Sequence, residues 1–226
     1  LAFGLFIFVE RRTDAALVDL DAFRSPPFAV ANLNGLLAFF GSFPILTYLG
    51  IHLQQESGLS ATQTGLLILL FPVAFAGASI GGARLLARSG PRLPAVIGML
   101  ISAIGALALA WRGVGLNPNS VWWHITLLGA GVGVSMSSLT TTAVGAVSLA
   151  RSGMASSLLG ALRQVGTALG IAALGVVVAL SSAPESGLRL AALLAGIVLL
   201  IAAGNALRWL PGRVGEPLSP LSPIKP

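Results

Sequence analysis

The sequence predicts an all-α membrane protein built around a bundle of six complete transmembrane helices. Hydrophobic residues make up 55% of the 226 residues and charged residues only 9%, whereas a soluble domain carries about 25% charged residues. Six apolar runs reach the ~20 residues that a helix needs to cross the hydrocarbon core. Turn-forming and helix-breaking residues separate these runs, for example Ser89-Gly90-Pro91 and Asn117-Pro118-Asn119. Because lipid requires no polar coat, this composition favours a membrane environment.

The apolar runs give the boundaries of the predicted helices. They are residues 28–51, 65–86, 93–111, 121–149, 153–180 and 188–207. We interpret residues 1–27 as the end of a preceding transmembrane helix (1–9) and a cytoplasmic linker, and 28–210 as the bundle. Residues 211–226, rich in Pro and Ser, are predicted to be a disordered cytoplasmic tail. Since Leu1 lies inside an apolar run, we expect a longer protein whose N-terminal bundle is the partner of this one.

The basic residues predict the orientation in the membrane. If the loops alternate sides, ten of the thirteen Lys and Arg residues fall on one side. Arg112 and Arg189 fall on the other, and Arg163 lies within a span. Basic residues concentrate in cytoplasmic loops. The sequence therefore predicts a multi-pass protein of the plasma (cytoplasmic) membrane with a cytoplasmic C-terminus.

Several classes of protein are disfavoured. The net charge of +6 is not arranged as a basic stripe with interleaved aromatics, so no nucleic-acid partner is expected. The absence of Cys excludes disulfides and thiolate metal sites. His52 and His124 lie far apart in sequence, and no catalytic arrangement is recognisable. We expect no enzyme activity, no cofactor and no metal.

No Asp or Glu lies inside any of the six predicted spans. Acidic side chains are the usual proton carriers of membrane pumps and transporters. If the protein couples transport to protons, the carrier must therefore lie in another part of it.

Arg163 is the one charged residue placed well inside a predicted span, and Gln164 follows it. A charge facing lipid is costly, so Arg163 should face a cavity or a partner within the bundle. Alternatively, the helix begins later and Arg163 extends to the headgroups at the cytoplasmic surface.

Two further spans carry candidate ligand-binding side chains. The first contains Asn32, Asn34, Phe39 and Phe43. Each Asn should face protein, water or the interface, and the aromatic rings could stack on a flat apolar ligand or simply pack.

The fourth span is rich in hydroxyl groups, which include Ser138 and Thr142. Such groups can line a polar path, or they can bond back to carbonyls of their own helix.

Three pairs of glycines spaced four residues apart predict close helix contacts. The pairs are Gly77 and Gly81, Gly129 and Gly133, and Gly166 and Gly170. Small residues at this spacing allow the backbones of neighbouring membrane helices to approach.

Three stretches in this order carry a family resemblance. They are Glu10-Arg11-Arg12 with Asp14 and residues 17–24; Tyr48 to Gln55 with Gly58-Leu59-Ser60, Gly65 and Pro72; and Leu162 to Gly166 with Ala168-Leu169-Gly170. The first stretch resembles the family's linker after the eighth helix. The second resembles a span that ends in Leu-Gln before a Gly-Leu-Ser turn. The third resembles the Arg-Gln-x-Gly run of the penultimate helix. The family is the major facilitator superfamily, and the similarity is strongest to the C-terminal half of its fourteen-helix multidrug/proton antiporters.

The chain also departs from the family pattern. Residues 84–92 resemble a degenerate copy of its cytoplasmic Gly/Asp/Arg loop, with Ala87 in place of the acid. The antiporter motif of these exporters belongs to the N-terminal half.

The resemblance implies a transporter whose two bundles alternate access to a central cavity. The first, second, fourth and fifth spans would line this cavity, and the third and sixth would face lipid. The implied wall residues are Asn32, Asn34, Phe39, Phe43, Ser138 and Thr142. Arg163 and Gln164 would form a polar station on the cytoplasmic side.

The expected function is proton-coupled efflux of amphipathic drugs or other small molecules. The alternatives are a facilitator of the same fold for a sugar, an amino acid or a siderophore, and a non-transporting membrane scaffold.

Overall fold

The structure, a computed structural model, describes residues 20–112, 118–181 and 183–212. The predicted helix end at residues 1–9, most of the linker and the tail beyond residue 212 lie outside these ranges. Six helices in the described residues are long and apolar enough to cross a membrane. The predicted fold class, an all-α bundle of six membrane helices, is confirmed.

The helices follow one another with short connections. They are α1 (Pro26–Gln55), α2 (Ala61–Ser89), α3 (Arg92–Arg112), α4 (Pro118–Gly145), α5 (Ser152–Leu180) and α6 (Pro184–Trp209). Helix α2 consists of two segments, Ala61–Ile68 and Leu70–Ser89. Short 3-10 helices, Leu20–Arg24 and Leu149–Arg151, precede α1 and α5.

Some helix ends differ from the predicted ones for local reasons. Helix α2 begins at Ala61, four residues before the predicted start, because Ser60 and Gln63 form a capping box. The Ser60 Oγ accepts a hydrogen bond from the Gln63 backbone N–H, and the Gln63 side chain accepts one from Ser60 N–H. The fourth helix ends at Gly145, earlier than predicted, and a turn follows it.

Helices α1 and α4 form the centre of the bundle. In their most apolar windows, 56% and 61% of residues are buried, compared with 11% in α2 and 17% in α5. Helix α2 packs mainly against α4, and α5 mainly against α1, while α3 and α6 pack against each other behind the central pair. Helices α2 and α5 therefore carry broad faces that no described residue covers.

Glycines set the distance between the packed helices. The Cβ positions of Gly129 and Gly133 on α4 lie against the carbonyl oxygens of Phe71 and Phe75 on α2. Those of Gly166 and Gly170 on α5 lie against the carbonyl oxygens of Leu36 and Phe40 on α1. The close helix contacts predicted for these two glycine pairs are confirmed. For the third pair, no described atom of a neighbouring element lies within 4 Å of the Cβ positions of Gly77 and Gly81, and the contact predicted there stays a prediction.

One end of the bundle holds most of the described arginines. This Arg-rich end comprises the starts of α1, α3 and α5 and the ends of α2, α4 and α6. There the Arg92 Nε donates to the Leu210 carbonyl over 2.7 Å, and the Ser138 hydroxyl donates to the Pro91 carbonyl. These bonds connect the start of α3 to α6 and α4. That this end is cytoplasmic remains a prediction.

Gly166→Ala is expected to weaken the packing of α5 on α1. The added methyl would overlap the Leu36 carbonyl, and such overpacking costs about 1–3 kcal/mol. The thermal unfolding temperature of the full-length protein in detergent, followed by size-exclusion chromatography, should fall. Gly160→Ala is the matched control on the same helix, because its Cβ position meets no described atom within 4 Å. Equal melting of the two variants would contradict the close α1–α5 contact.

Ser138→Ala is expected to lower stability and to leave transport intact. It removes the bond to the Pro91 carbonyl, and such bonds between membrane helices contribute about 0.6 kcal/mol on average. Ser156→Ala is the control, since that exposed hydroxyl bonds only within its own helix, to Ser152 O. Lost transport with unchanged melting would instead support the predicted role of Ser138 in the cavity wall.

Candidate functional site

An aromatic groove lies between α1 and α2 on the open side of the bundle, which is the side where α2 and α5 carry their uncovered faces. Its volume is about 440 Å³. The lining residues are Phe39, Phe43, Leu46 and Thr47 from α1, and Ile68, Phe71, Pro72 and Phe75 from α2. Aromatic rings dominate the lining, which therefore suits a ligand with flat apolar surfaces.

The rings of the groove are in direct contact. Phe39 and Phe43, one turn apart on α1, stack with centroids 4.6 Å apart and an interplanar angle of 15°. Phe43 meets Phe71 of α2 edge to face at 5.0 Å and 68°. These contacts connect the rings of α1 to those of α2 along the groove.

Arg163 reaches this aromatic cluster from α5. The guanidinium carbon lies 5.7 Å from the centroid of the Phe39 ring, and Nη2 donates to the Thr140 hydroxyl of α4 over 2.9 Å. A Cβ at Gly35 of α1 would lie 2.7 Å from the Leu159 Cδ1 and 3.9 Å from the Arg163 Cγ, so the glycine makes room mainly for Leu159. The Arg163 side chain thus links α5 to both α1 and α4.

This placement decides between the two sequence-based interpretations of Arg163. Helix α5 begins at Ser152, 11 residues earlier, so the Arg163 backbone lies about 16 Å along the helix axis. The guanidinium contacts Phe39 and Thr140 inside the bundle. Arg163 therefore faces the bundle interior, and the late-helix-start alternative is wrong.

Gln164 does not join Arg163 at this position. It is exposed and lies about 100° further round the helix. The structure places it on the uncovered face of α5.

Asn32 and Asn34 lie inside the bundle, fully buried. The Asn32 amide donates to the Phe28 carbonyl over 2.9 Å. For Asn34, neither side-chain polar atom has a partner among the described residues. The structure therefore does not bring these amides to the open groove.

Ser138 and Thr142 are buried as well. Ser138 donates to Pro91 at the Arg-rich end, and the Thr142 hydroxyl has no partner in the described part of the chain. Whether these two residues and the two asparagines contact a substrate remains a prediction.

Three residues at this site, Phe71, Phe75 and Thr140, were not among the predicted binding residues. Phe71 and Phe75 are spaced four residues apart, as Phe39 and Phe43 are. Matching pairs of aromatic residues on two adjacent spans were the signal that could have found them. Thr140 belongs to the hydroxyl-rich stretch of α4, in which hydropathy does not distinguish one hydroxyl from the next.

The groove and Arg163 form a positively charged, aromatic surface. Among the residues whose side chains the structure describes, the carboxylates are Glu56 and Glu185. Glu56 follows the end of α1 and Glu185 lies in the first turn of α6, both at the end opposite the Arg-rich one. The described surface around Arg163 therefore carries no compensating negative charge.

Comparison with known proteins identifies the family. Residues 31–224 match the family model described as Major Facilitator Superfamily. The chain is 34% identical over 176 residues to the multidrug resistance protein Stp of Mycobacterium tuberculosis, covering 78% of this chain and 33% of that protein. It is 30% identical over 213 residues to the methylenomycin A resistance protein of Streptomyces coelicolor, covering 92% and 44%.

A further relative is the tetracenomycin C resistance and export protein of Streptomyces glaucescens, 31% identical over 182 residues, covering 79% of this chain and 33% of that protein. The chain thus spans between a third and a half of these relatives. The six helices correspond to one bundle of such a transporter, and the prediction that the chain is not an enzyme is confirmed. The chain belongs to the major facilitator superfamily, as a multi-pass membrane bundle of a transporter.

Proposed function

We propose that this chain is the C-terminal bundle of an exporter that moves amphipathic small molecules across the plasma membrane by alternating access. The observation that carries the proposal is the aromatic groove on the open side of α1 and α2. Relatives named for drug resistance and for export support it.

The size and lining of the groove favour an amphipathic substrate. Pockets for drug-sized ligands have volumes of about 300–1,000 Å³ and are mostly apolar, and the groove falls in this range at about 440 Å³. Among its lining residues Thr47 has the one polar side chain, and its hydroxyl already faces the Phe43 carbonyl at 3.4 Å. A sugar would find few hydrogen-bond partners here, which disfavours the facilitator alternative for polar solutes.

The uncovered faces of α2 and α5 support a two-bundle arrangement. Large apolar side chains are exposed on both helices, for example Leu66 and Val73 on α2 and Leu169 and Val176 on α5. In the proposed transporter the second bundle meets these faces, and the groove opens into the cavity between the bundles. Helices α3 and α6 then face lipid, and rocking of one bundle against the other exposes the cavity to each side in turn.

The proposal places proton coupling in the other bundle. The apolar spans of this chain contain no carboxylate apart from Glu185 in the first turn of α6, and proton relays in membranes use such groups. The Arg-rich end is cytoplasmic in this proposal, as is the C-terminus.

Transport by the full-length protein tests this function. The protein would be expressed in a bacterium lacking its main efflux pumps, and accumulation of a fluorescent aromatic dye would be followed in everted membrane vesicles. We expect accumulation that depends on the proton gradient and stops when an uncoupler dissipates it. Uptake of sugars or amino acids, or no transport by correctly inserted protein, would contradict the proposal.

Phe43→Ala is expected to lower dye transport. The substitution removes the ring that lies between Phe39 and Phe71, and an aromatic dye that stacks on such a ring gains about 0.5–1.5 kcal/mol beyond area burial. The dye concentration at half-maximal transport should therefore rise several-fold. Ile201→Ala on α6 is the control, because this exposed apolar residue lies outside the groove. Equal transport by both variants, at equal amounts of protein in the membrane, would argue against the groove as the substrate-binding site.

A further inference from the structure

We infer that the substrate is a planar aromatic compound carrying an anionic group, and that Arg163 binds this group. The inference rests on the proposed function and specifies the substrate class of the same site. It depends on where the Arg163 guanidinium lies, which groups already bind it and which charges surround it.

The guanidinium stands at the edge of the aromatic cluster. It contacts the Phe39 ring, and the Phe39 ring stacks on Phe43, which lines the groove. A flat ligand lying on the rings would bring a substituent at its edge towards Arg163. One ligand would therefore stack on the rings and bind Arg163 through its charged group.

Arg163 has unused hydrogen-bonding capacity. A guanidinium has five N–H donors, and the structure shows one hydrogen bond from them, to Thr140. The Nε atom is buried and has no partner among the described residues, so the donors open to a ligand are those of Nη1 and the second N–H of Nη2. A carboxylate or similar anion accepts two parallel N–H bonds from arginine. The side chain is thus prepared for a planar anionic group.

The surrounding charges favour an anion over a cation. No described carboxylate forms an ion pair with Arg163, and its contacts are with an aromatic ring and a hydroxyl. At about 6 Å in a medium of low dielectric, a like charge would weaken binding by about tenfold or more, and an opposite charge would strengthen it similarly. Although an aromatic groove alone would accept cationic dyes, Arg163 selects against them.

Two dyes with the same ring system separate charge from shape. Fluorescein is anionic and rhodamine 123 is cationic, and both are built on a planar xanthene. Transport of each by the full-length protein would be measured in proteoliposomes, and binding to the detergent-purified protein by fluorescence anisotropy. We expect the wild-type protein to prefer fluorescein.

Variants of Arg163 test the assignment of the charge. In Arg163→Gln, the preference for fluorescein over rhodamine 123 should fall by about tenfold or more, and Arg163→Glu should reverse it. Arg163→Lys keeps the charge and should retain most of the preference. Arg189→Gln is the control, since Arg189 lies at the opposite end and donates to the Ala110 carbonyl.

The outcomes distinguish this inference from the proposed function. If the wild-type protein prefers rhodamine 123, or if Arg163→Gln leaves the preference unchanged in binding and transport, the inference is wrong while export of aromatic compounds stands. If the wild-type protein neither binds nor moves either dye, the proposed function fails and the inference with it.

Discussion

The close approach of helix backbones at two pairs of glycines determines the rest of the bundle. In lipid there is no hydrophobic force to draw apolar helices together, so packing at short range must hold them. Gly166 and Gly170 bring α5 onto α1, and Gly129 and Gly133 bring α4 onto α2. The α1–α5 contact has a direct chemical consequence. Because α5 lies so near α1, the Arg163 side chain contacts Phe39 of α1 and also donates to Thr140 of α4.

The α1–α5 contact and the α2–α4 contact are related but not equivalent. In a bundle of two inverted three-helix repeats, α1 corresponds to α4 and α2 to α5, and the packing of α5 on α1 mirrors that of α2 on α4. The glycines lie on central helix α4 in one contact and on outer helix α5 in the other. The backbones that these glycines approach belong to α2 and α1, the two helices between which the aromatic groove lies. The polar groups Thr140 and Arg163 lie on α4 and α5, so the open side divides into an aromatic part and a polar part.

Hydropathy alone predicted six spans because each must cross the same hydrocarbon thickness. It could not predict the direction of side chains within them. A span that is apolar all round gives no amphipathic signal, so Asn34 and Ser138, both buried, could not be told from residues on the open surface. The start of α2 depended on the two reciprocal hydrogen bonds between Ser60 and Gln63. The orientation of Arg163 depended on tertiary contacts with Phe39 and Thr140, which no local pattern encodes.

Recognition and energy coupling place opposite demands on a membrane bundle. Proton carriage uses acidic groups, and a nearby carboxylate would pair with Arg163 and occupy the N–H groups that an anionic substrate needs. The Arg163 guanidinium lies beside Phe39, and the described carboxylates lie at the far end of the bundle. The positive charge therefore stays available to an anionic substrate. The Phe39 ring and the Thr140 hydroxyl reduce the cost of leaving that charge without a counter-ion. In the proposed exporter this bundle binds the substrate, and an acid that carries protons would have to lie where it cannot neutralise Arg163.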